Sequence, residues 1–186
     1  MCLCRPEMTD HSTYKPSIMA TQQAPAEAFR NMVTSPAKFR LFLLSKLPMA
    51  YLAGLRISSL TDERATVTIP YKYLTKNPFG SIYFACLSMA AELSTGVLCM
   101  MHVYKSEPPV SMLVVGMDAD FTRKAVGVIR FSCEDGRRIQ EAVDKAKATG
   151  EGQTVTVTST GTDETGAQVA SFRFTWSFKA KSKKQV

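Results

Sequence analysis

An α+β domain, with an antiparallel sheet curled around one central helix, is the fold this sequence predicts. Three observations carry the prediction. First, the stretch SIYFACLSMAAELSTGVLCMMHV, residues 81–103, is apolar nearly all round, as in a helix buried on most sides. Second, segments on either side of it alternate apolar and polar residues: Ala65, Val67 and Ile69 before it, and Phe172, Phe174, Trp176 and Phe178 after it. That period of two marks a half-buried strand. Third, the element order is helix, two strands, long helix, then four strands, which lets one sheet enclose one helix.

The elements follow in order. Residues 1–24 are polar and varied, and are expected to form a disordered leader. A short helical stretch covers residues 26–33. Ser35-Pro36 reads as an N-cap followed by proline at the first helical position. Phe39, Phe42, Leu43 and Leu47 keep helical spacing, and Pro48 is expected to end the run. Leu55 and Ile57 suggest a first strand, Thr61-Asp62-Glu63 a hairpin loop, and residues 65–69 a second strand. YKYLTKNPFG is a loop punctuated by Asn77-Pro78 and Gly80.

The central helix is expected from Ser81 to about Met101. One stripe on it is small or polar: Ser81, Ala85, Ser88, Glu92, Thr95, Gly96 and Cys99 recur every three or four positions. Either another backbone or a ligand packs closely there. Strands at 111–121 and 125–133 follow, joined at Thr122-Arg123-Lys124. Residues 134–149 form a charged helix with Ile139, Val143 and Ala146 on one face and Gly150 as its C-cap. That helix is a lid, a contact surface, or neither. Residues 154–158 and 170–179 read as the last two strands, with the turn at 161–166. The chain therefore divides into the leader, a single domain at 25–179, and a basic tail at 180–186, with no internal repeat or linker.

Composition narrows the function classes. The 186 residues suffice for one domain with a sizeable core, and 45% hydrophobic with 21% charged residues is ordinary for a globular chain. The formal net charge of +7 attracts polyanions in general, but part of it lies in the tail at Lys179, Lys181, Lys183 and Lys184. No aromatic–basic motif of a nucleic-acid module accompanies it, so no nucleic-acid partner is expected. The cysteines at 2, 4, 86, 99 and 133, with His11 and His102, form neither a disulfide framework nor a metal site. Reduced thiols fit a cytoplasmic protein. Residues 1–17 lack the apolar core of a signal peptide. The 81–103 stretch has the length of a membrane span, but Glu92 at its centre makes a buried core helix the better reading.

Glu92 is also the residue the fold needs least. A buried carboxylate requires a partner or a raised pKa. It either pairs with an arginine or caps a backbone group, or it is a tuned carboxylate that activates water or attacks a carbonyl. Before it, Gly80 lets backbone approach a ligand, and the amides at 81–84 open the helix with the positive end of its dipole. Such amides can hold an oxyanion. Cys86 and Cys99 lack a visible base and read as small core residues.

The run N-P-F-G-S-I-Y-F-A-C-L-S-M-A-A-E resembles the thioesterases of the phenylacetyl-CoA type in the hotdog superfamily. Those carry an Asn, a glycine-containing loop, a His-Gly-Gly motif at the helix start and an acid nine residues after the His. Here Asn77 takes the Asn position, Tyr83 the His position, and Glu92 the acid position. Tyr83-Phe84-Ala85 replaces His-Gly-Gly, as in an uncharacterised branch of the superfamily. The segment D-A-D-F-T-R-K-A-V-G-V-I-R is similar to the paired strands that follow in that family.

The resemblance implies a hotdog fold over about residues 36–179. It implies an acyl-CoA or acyl-carrier-protein thioester as ligand, no cofactor beyond the CoA of the substrate, and a homodimer, or a tetramer of two such dimers, with sites shared across the interface. Under it Glu92 is general base or nucleophile, the backbone at Tyr83 and Phe84 holds the oxyanion, and Asn77 positions the carbonyl or water. Gly80, Ser81 and Ser88 border the substrate. Arg123 and Lys124 either meet CoA phosphates or are a solvated turn. Loss of His-Gly-Gly equally suits an acyl- or lipid-binding protein without catalysis. A dehydratase would need a histidine at the site, and His102 lies about 15 Å along the helix from Glu92.

Overall fold

The computed structural model describes residues 17–181. Most of the expected leader, residues 1–16, and the end of the expected tail, residues 182–186, lie outside the described residues, and with them Cys2, Cys4, His11, Lys183 and Lys184.

Three helices come first: α1 (Ser17–Thr34), α2 (Pro36–Lys46) and α3 (Pro48–Ala53). α1 begins well before the helix expected at 26–33, inside the stretch read as leader. Ser35 has the extended backbone of an N-cap and Pro36 opens α2, as the sequence predicts. Pro48 does not end the helical region. The chain turns at Leu47, and Pro48 opens α3, which stops at Gly54 in the left-handed region, φ 81°. A proline that starts a helix and one that stops a helix look alike in sequence.

The six strands are β1 (Arg56–Leu60), β2 (Ala65–Pro70), β3 (Val110–Phe121), β4 (Val128–Cys133), β5 (Gln153–Thr162) and β6 (Gln168–Ala180). They form one antiparallel sheet in the order β1-β2-β4-β5-β6-β3. The strands at 111–121 and 125–133 are not partners, although they follow one another in sequence. β3 pairs with β6 at one edge, while β4 lies between β2 and β5. The turn expected at 161–166 begins later, because β5 runs to Thr162.

The alternating patterns hold. Ala65, Val67, Ile69, Phe172, Phe174, Trp176 and Phe178 all point into the core. There they meet α4 (Phe84–Val103), which packs against β2, β3, β4, β5 and β6. α4 is long and apolar enough to cross a membrane, yet 67% of its apolar stretch is buried inside the fold, so it is the core helix. α5 (Gly136–Thr149) lies against α4 and β5 through buried Ile139, Val143 and Ala146, and ends at Gly150 with φ 71°. Its apolar face is thus part of the core cover.

Candidate active site

Three residues expected in the first turn of the central helix belong to the loop before it. α4 starts at Phe84, with Tyr83 as N-cap. The amide of Ser81 donates to the side-chain oxygen of Asn77 (3.2 Å), that of Ile82 to the carbonyl of Ala125 (2.8 Å), and that of Tyr83 to the carbonyl of Thr75 (2.7 Å). These donors are spent on positioning the loop. The Phe84 and Ala85 amides come next, and among the described residues they have no acceptor. They are the available pair at the positive end of the α4 dipole.

Asn77 builds the loop. Its Oδ1 accepts from the Phe79 amide (3.0 Å) as well as from Ser81, and its Nδ2 donates to the Ser81 hydroxyl (3.0 Å). Its Oδ1 is committed to the loop, while one N–H of its Nδ2 has no partner among the described residues, and Asn77 lines the groove described next. Ser81 is largely buried, its hydroxyl accepts from Asn77 Nδ2, and it lines the same groove. Gly80 is exposed at φ 72° with open space where a Cβ would stand. It is glycine for the left-handed turn, not for close approach.

This loop forms one wall of a groove of about 560 Å³, with Tyr83, Phe84 and Leu87 at its base and Phe121, Arg123 and Lys124 opposite. The Lys124 ammonium donates to the Phe79 carbonyl (3.1 Å) and ties the two walls together. Tyr83 and Phe84 meet edge to face at 4.8 Å, and Phe84 touches Phe121 in the same manner at 6.5 Å. The position where the resembled family has glycine therefore carries an aromatic ring that is 55% exposed at the groove.

Glu92 lies elsewhere. It lines a separate cavity of about 230 Å³ with Lys46, Leu47, Pro48, Met49, Met89 and Leu93. Among the described residues its carboxylate has no hydrogen-bond donor and no ion pair, so neither an arginine partner nor a capping role holds it. Burial raises its pKa above the ordinary glutamate value. One carboxylate oxygen stands close over Gly96: a Cβ there would lie 3.1 Å from Oε1, a tight contact, and 3.5 Å from the Trp176 ring, an ordinary one.

The small-residue stripe now has a cause. The Trp176 indole packs against Gly96 and its Nε1–H donates to the Thr95 hydroxyl (3.0 Å), while Ser88 faces the Met117 sulfur (3.3 Å). Much of the close packing on that face is therefore against side chains of β6 and β3. Burial raises the pKa of Cys86 and, well above the ordinary thiol value, that of Cys99, and pushes Cys133 up to about 12, which disfavours the reactive thiolate. His102, with its pKa lowered by burial, contributes to neither cavity.

Sequence reasoning missed the wall over Glu92. Leu47, Pro48 and Met49 reach it only because α3 folds back, and nothing local marks that contact. Along one helix the free amides and Glu92 are about 12 Å apart at 1.5 Å per residue.

A six-stranded antiparallel sheet wrapped on one long helix defines the hotdog fold, and solved structures agree. The chain is similar to a Pseudomonas aeruginosa protein of unknown function named a probable thioesterase, at 24% identity and TM-score 0.67, over 81% of this chain and 99% of that one. It is similar to a thioesterase of Haemophilus influenzae at 16% identity and TM-score 0.56, over 78% of this chain and 92% of that one. A mutant thioesterase of Pseudomonas aeruginosa matches at 17% identity and TM-score 0.58, over 79% and 96%. No curated protein matches the chain. Residues 36–178 match the family described as "Domain of unknown function (DUF4442)", and the chain belongs to that family.

Proposed function

We propose that this chain hydrolyses acyl thioesters carried on coenzyme A or acyl-carrier protein, as a cytoplasmic homodimer. The observation that carries the proposal is Glu92: a carboxylate on the core helix, without a partner, with a raised pKa, at an apolar cavity. Glu92 takes a proton from water, and the resulting hydroxide attacks the thioester carbon. The Phe84 and Ala85 amides hold the oxyanion, and the thiolate leaves with the proton from Glu92. In the variant with Glu92 as nucleophile, its oxygen attacks instead and water cleaves the mixed anhydride.

The acid and the amides lie in different cavities, their backbones about 12 Å apart along the helix axis, which is the reason to invoke a second copy, with Glu92 of one chain serving the amides of the other. β3 supports this, since it is an open sheet edge carrying exposed Leu113, Val115 and Met117. Arg123 and Lys124, on the groove wall beside those amides, suit the phosphates of coenzyme A. The test is thiol release from a panel of acyl-CoA esters by wild type and Glu92→Gln. The proposal expects activity on at least one ester and its loss in the variant. Equal rates in the two proteins would remove Glu92 from the mechanism.

The exposed Phe84 ring favours a second reading, an acyl-binding protein without turnover. Stoichiometric retention of a fatty acyl ester with no thiol release identifies it.

A further inference from the structure

The outer face of α2 and α3 is apolar where a surface helix should be polar. α2 buries Phe39 and Leu43 on its inner side, yet Leu41 is 68% and Leu44 53% exposed on its outer side. Met49, 64% exposed, and Leu52 continue the strip on α3. Monomeric proteins rarely leave such contiguous apolar surface open unless something covers it.

Apart from Glu92, which shares a cavity with Met49, the charge around the strip has one sign. Between Glu27 and Glu92 the only carboxylates are Asp62 and Glu63. Asp62 pairs with Arg30, and Glu63 with Arg137. Arg40, Lys46, Arg56 and Lys72 have no ion pair among the described residues. Three of them, Arg40, Arg56 and Lys72, line a groove of about 420 Å³ between α2, α3 and β2, together with Tyr51, Thr68 and no acid. The Arg40 guanidinium is held over the Tyr51 ring and donates to its hydroxyl (3.2 Å).

We propose that this face docks on an anionic lipid surface, with Leu41, Leu44, Met49 and Leu52 entering the headgroup–acyl boundary and the Arg40/Arg56/Lys72 groove receiving a lipid phosphate. Apolar residues beside unpaired cations are the combination that binds peripheral proteins to anionic bilayers. A second copy is the poorer occupant. A two-fold contact would set this cationic face against itself, and like charges brought together at an interface cost several kcal/mol. Residues 47–49, which wall the Glu92 cavity, lie in the docked segment, so docking places that wall at the bilayer. The proposal does not depend on thioester hydrolysis, because its readout is binding.

The test is flotation of the full chain with vesicles of phosphatidylcholine alone or with about a third phosphatidylserine, at low and high salt. The account expects partitioning to the anionic vesicles only, weakened by salt. Arg40→Glu with Lys72→Glu should reduce it at least about 25-fold, since each cation near the surface contributes about fivefold. Leu41→Ser with Leu44→Ser should also lower it, whereas Lys145→Glu on α5 should change it little. Circular dichroism melts establish that each variant is folded. Absence of partitioning at low salt overturns the proposal. So does an equal loss from Lys145→Glu and Arg40→Glu, which would make net charge the cause. A shift from dimer to monomer in sedimentation caused by Leu41→Ser with Leu44→Ser overturns it in favour of a second copy.

Discussion

Gly96→Ala separates what the helix wants from what the site wants. Gly96 lies in the interior of α4, where glycine is less favourable than alanine by about 1 kcal/mol. The added methyl would make an ordinary contact with the Trp176 ring at 3.5 Å and a tight one with the Glu92 carboxylate at 3.1 Å. The carboxylate is the far end of a flexible side chain beside a cavity of about 230 Å³, so it can yield. A forced rotamer costs about 0.5–1.5 kcal/mol, which offsets most of the helix gain. The net expectation is a change of no more than about 0.5 kcal/mol in either direction, a Tm shift within about 2 °C. The site should suffer instead. A methyl against Oε1 removes more water from the carboxylate and pushes its pKa further up, so hydrolysis near neutral pH falls and the rising limb of the pH profile moves to higher pH. Calorimetry and acyl-CoA hydrolysis on the same preparation read both effects. A stability loss above about 2 kcal/mol, or an unmoved pH profile, would refute the reasoning.

Other outcomes follow from the same packing. Ser94 and Ser159, both fully buried, share a hydrogen bond of 2.7 Å between α4 and β5. Ser94→Ala alone should cost about 1–3 kcal/mol by orphaning the Ser159 hydroxyl, and the double change to alanine should cost less than the sum of the singles in urea unfolding. Glu92→Gln should be more stable than wild type at neutral pH. The raised pKa of Glu92 means that wild-type stability is fullest below the ordinary glutamate value and declines as pH rises through the folded value, so the two melting curves converge in acid. Val115→Lys, on the open edge of β3, should convert a homodimer to monomer in sedimentation while leaving the far-ultraviolet dichroism intact.

Local pattern made the elements legible, but not their partners. The alternation in β2 and β6 and the stripe on α5 each report which side faces the core, because period and burial are coupled within one element. Which strand lies beside which is decided by contacts far apart in sequence, so 111–121 and 125–133 read as neighbours when β6 and β2 claim them. The start of α4 was misplaced for a related reason. Ser81-Ile82-Tyr83 is apolar enough for helix, but distant carbonyls at Ala125 and Thr75 take two of its amides. At the candidate site Glu92 was legible as a charge out of place. Its cavity wall was not, since residues 47–50 arrive through a proline that the sequence presents as a stop. Asn77 matched a motif position, and only the atoms show that its amide closes its own loop.

The most direct measurement is the pH dependence of kcat/KM for acyl-CoA hydrolysis, in wild type and in Glu92→Gln. The account predicts that the wild-type rate climbs to a plateau with its midpoint above the ordinary glutamate value, as burial of Glu92 requires, and that the variant loses about a hundredfold or more and that rising limb. A variant that keeps the wild-type rate, or a wild-type midpoint at the ordinary glutamate value, would contradict it.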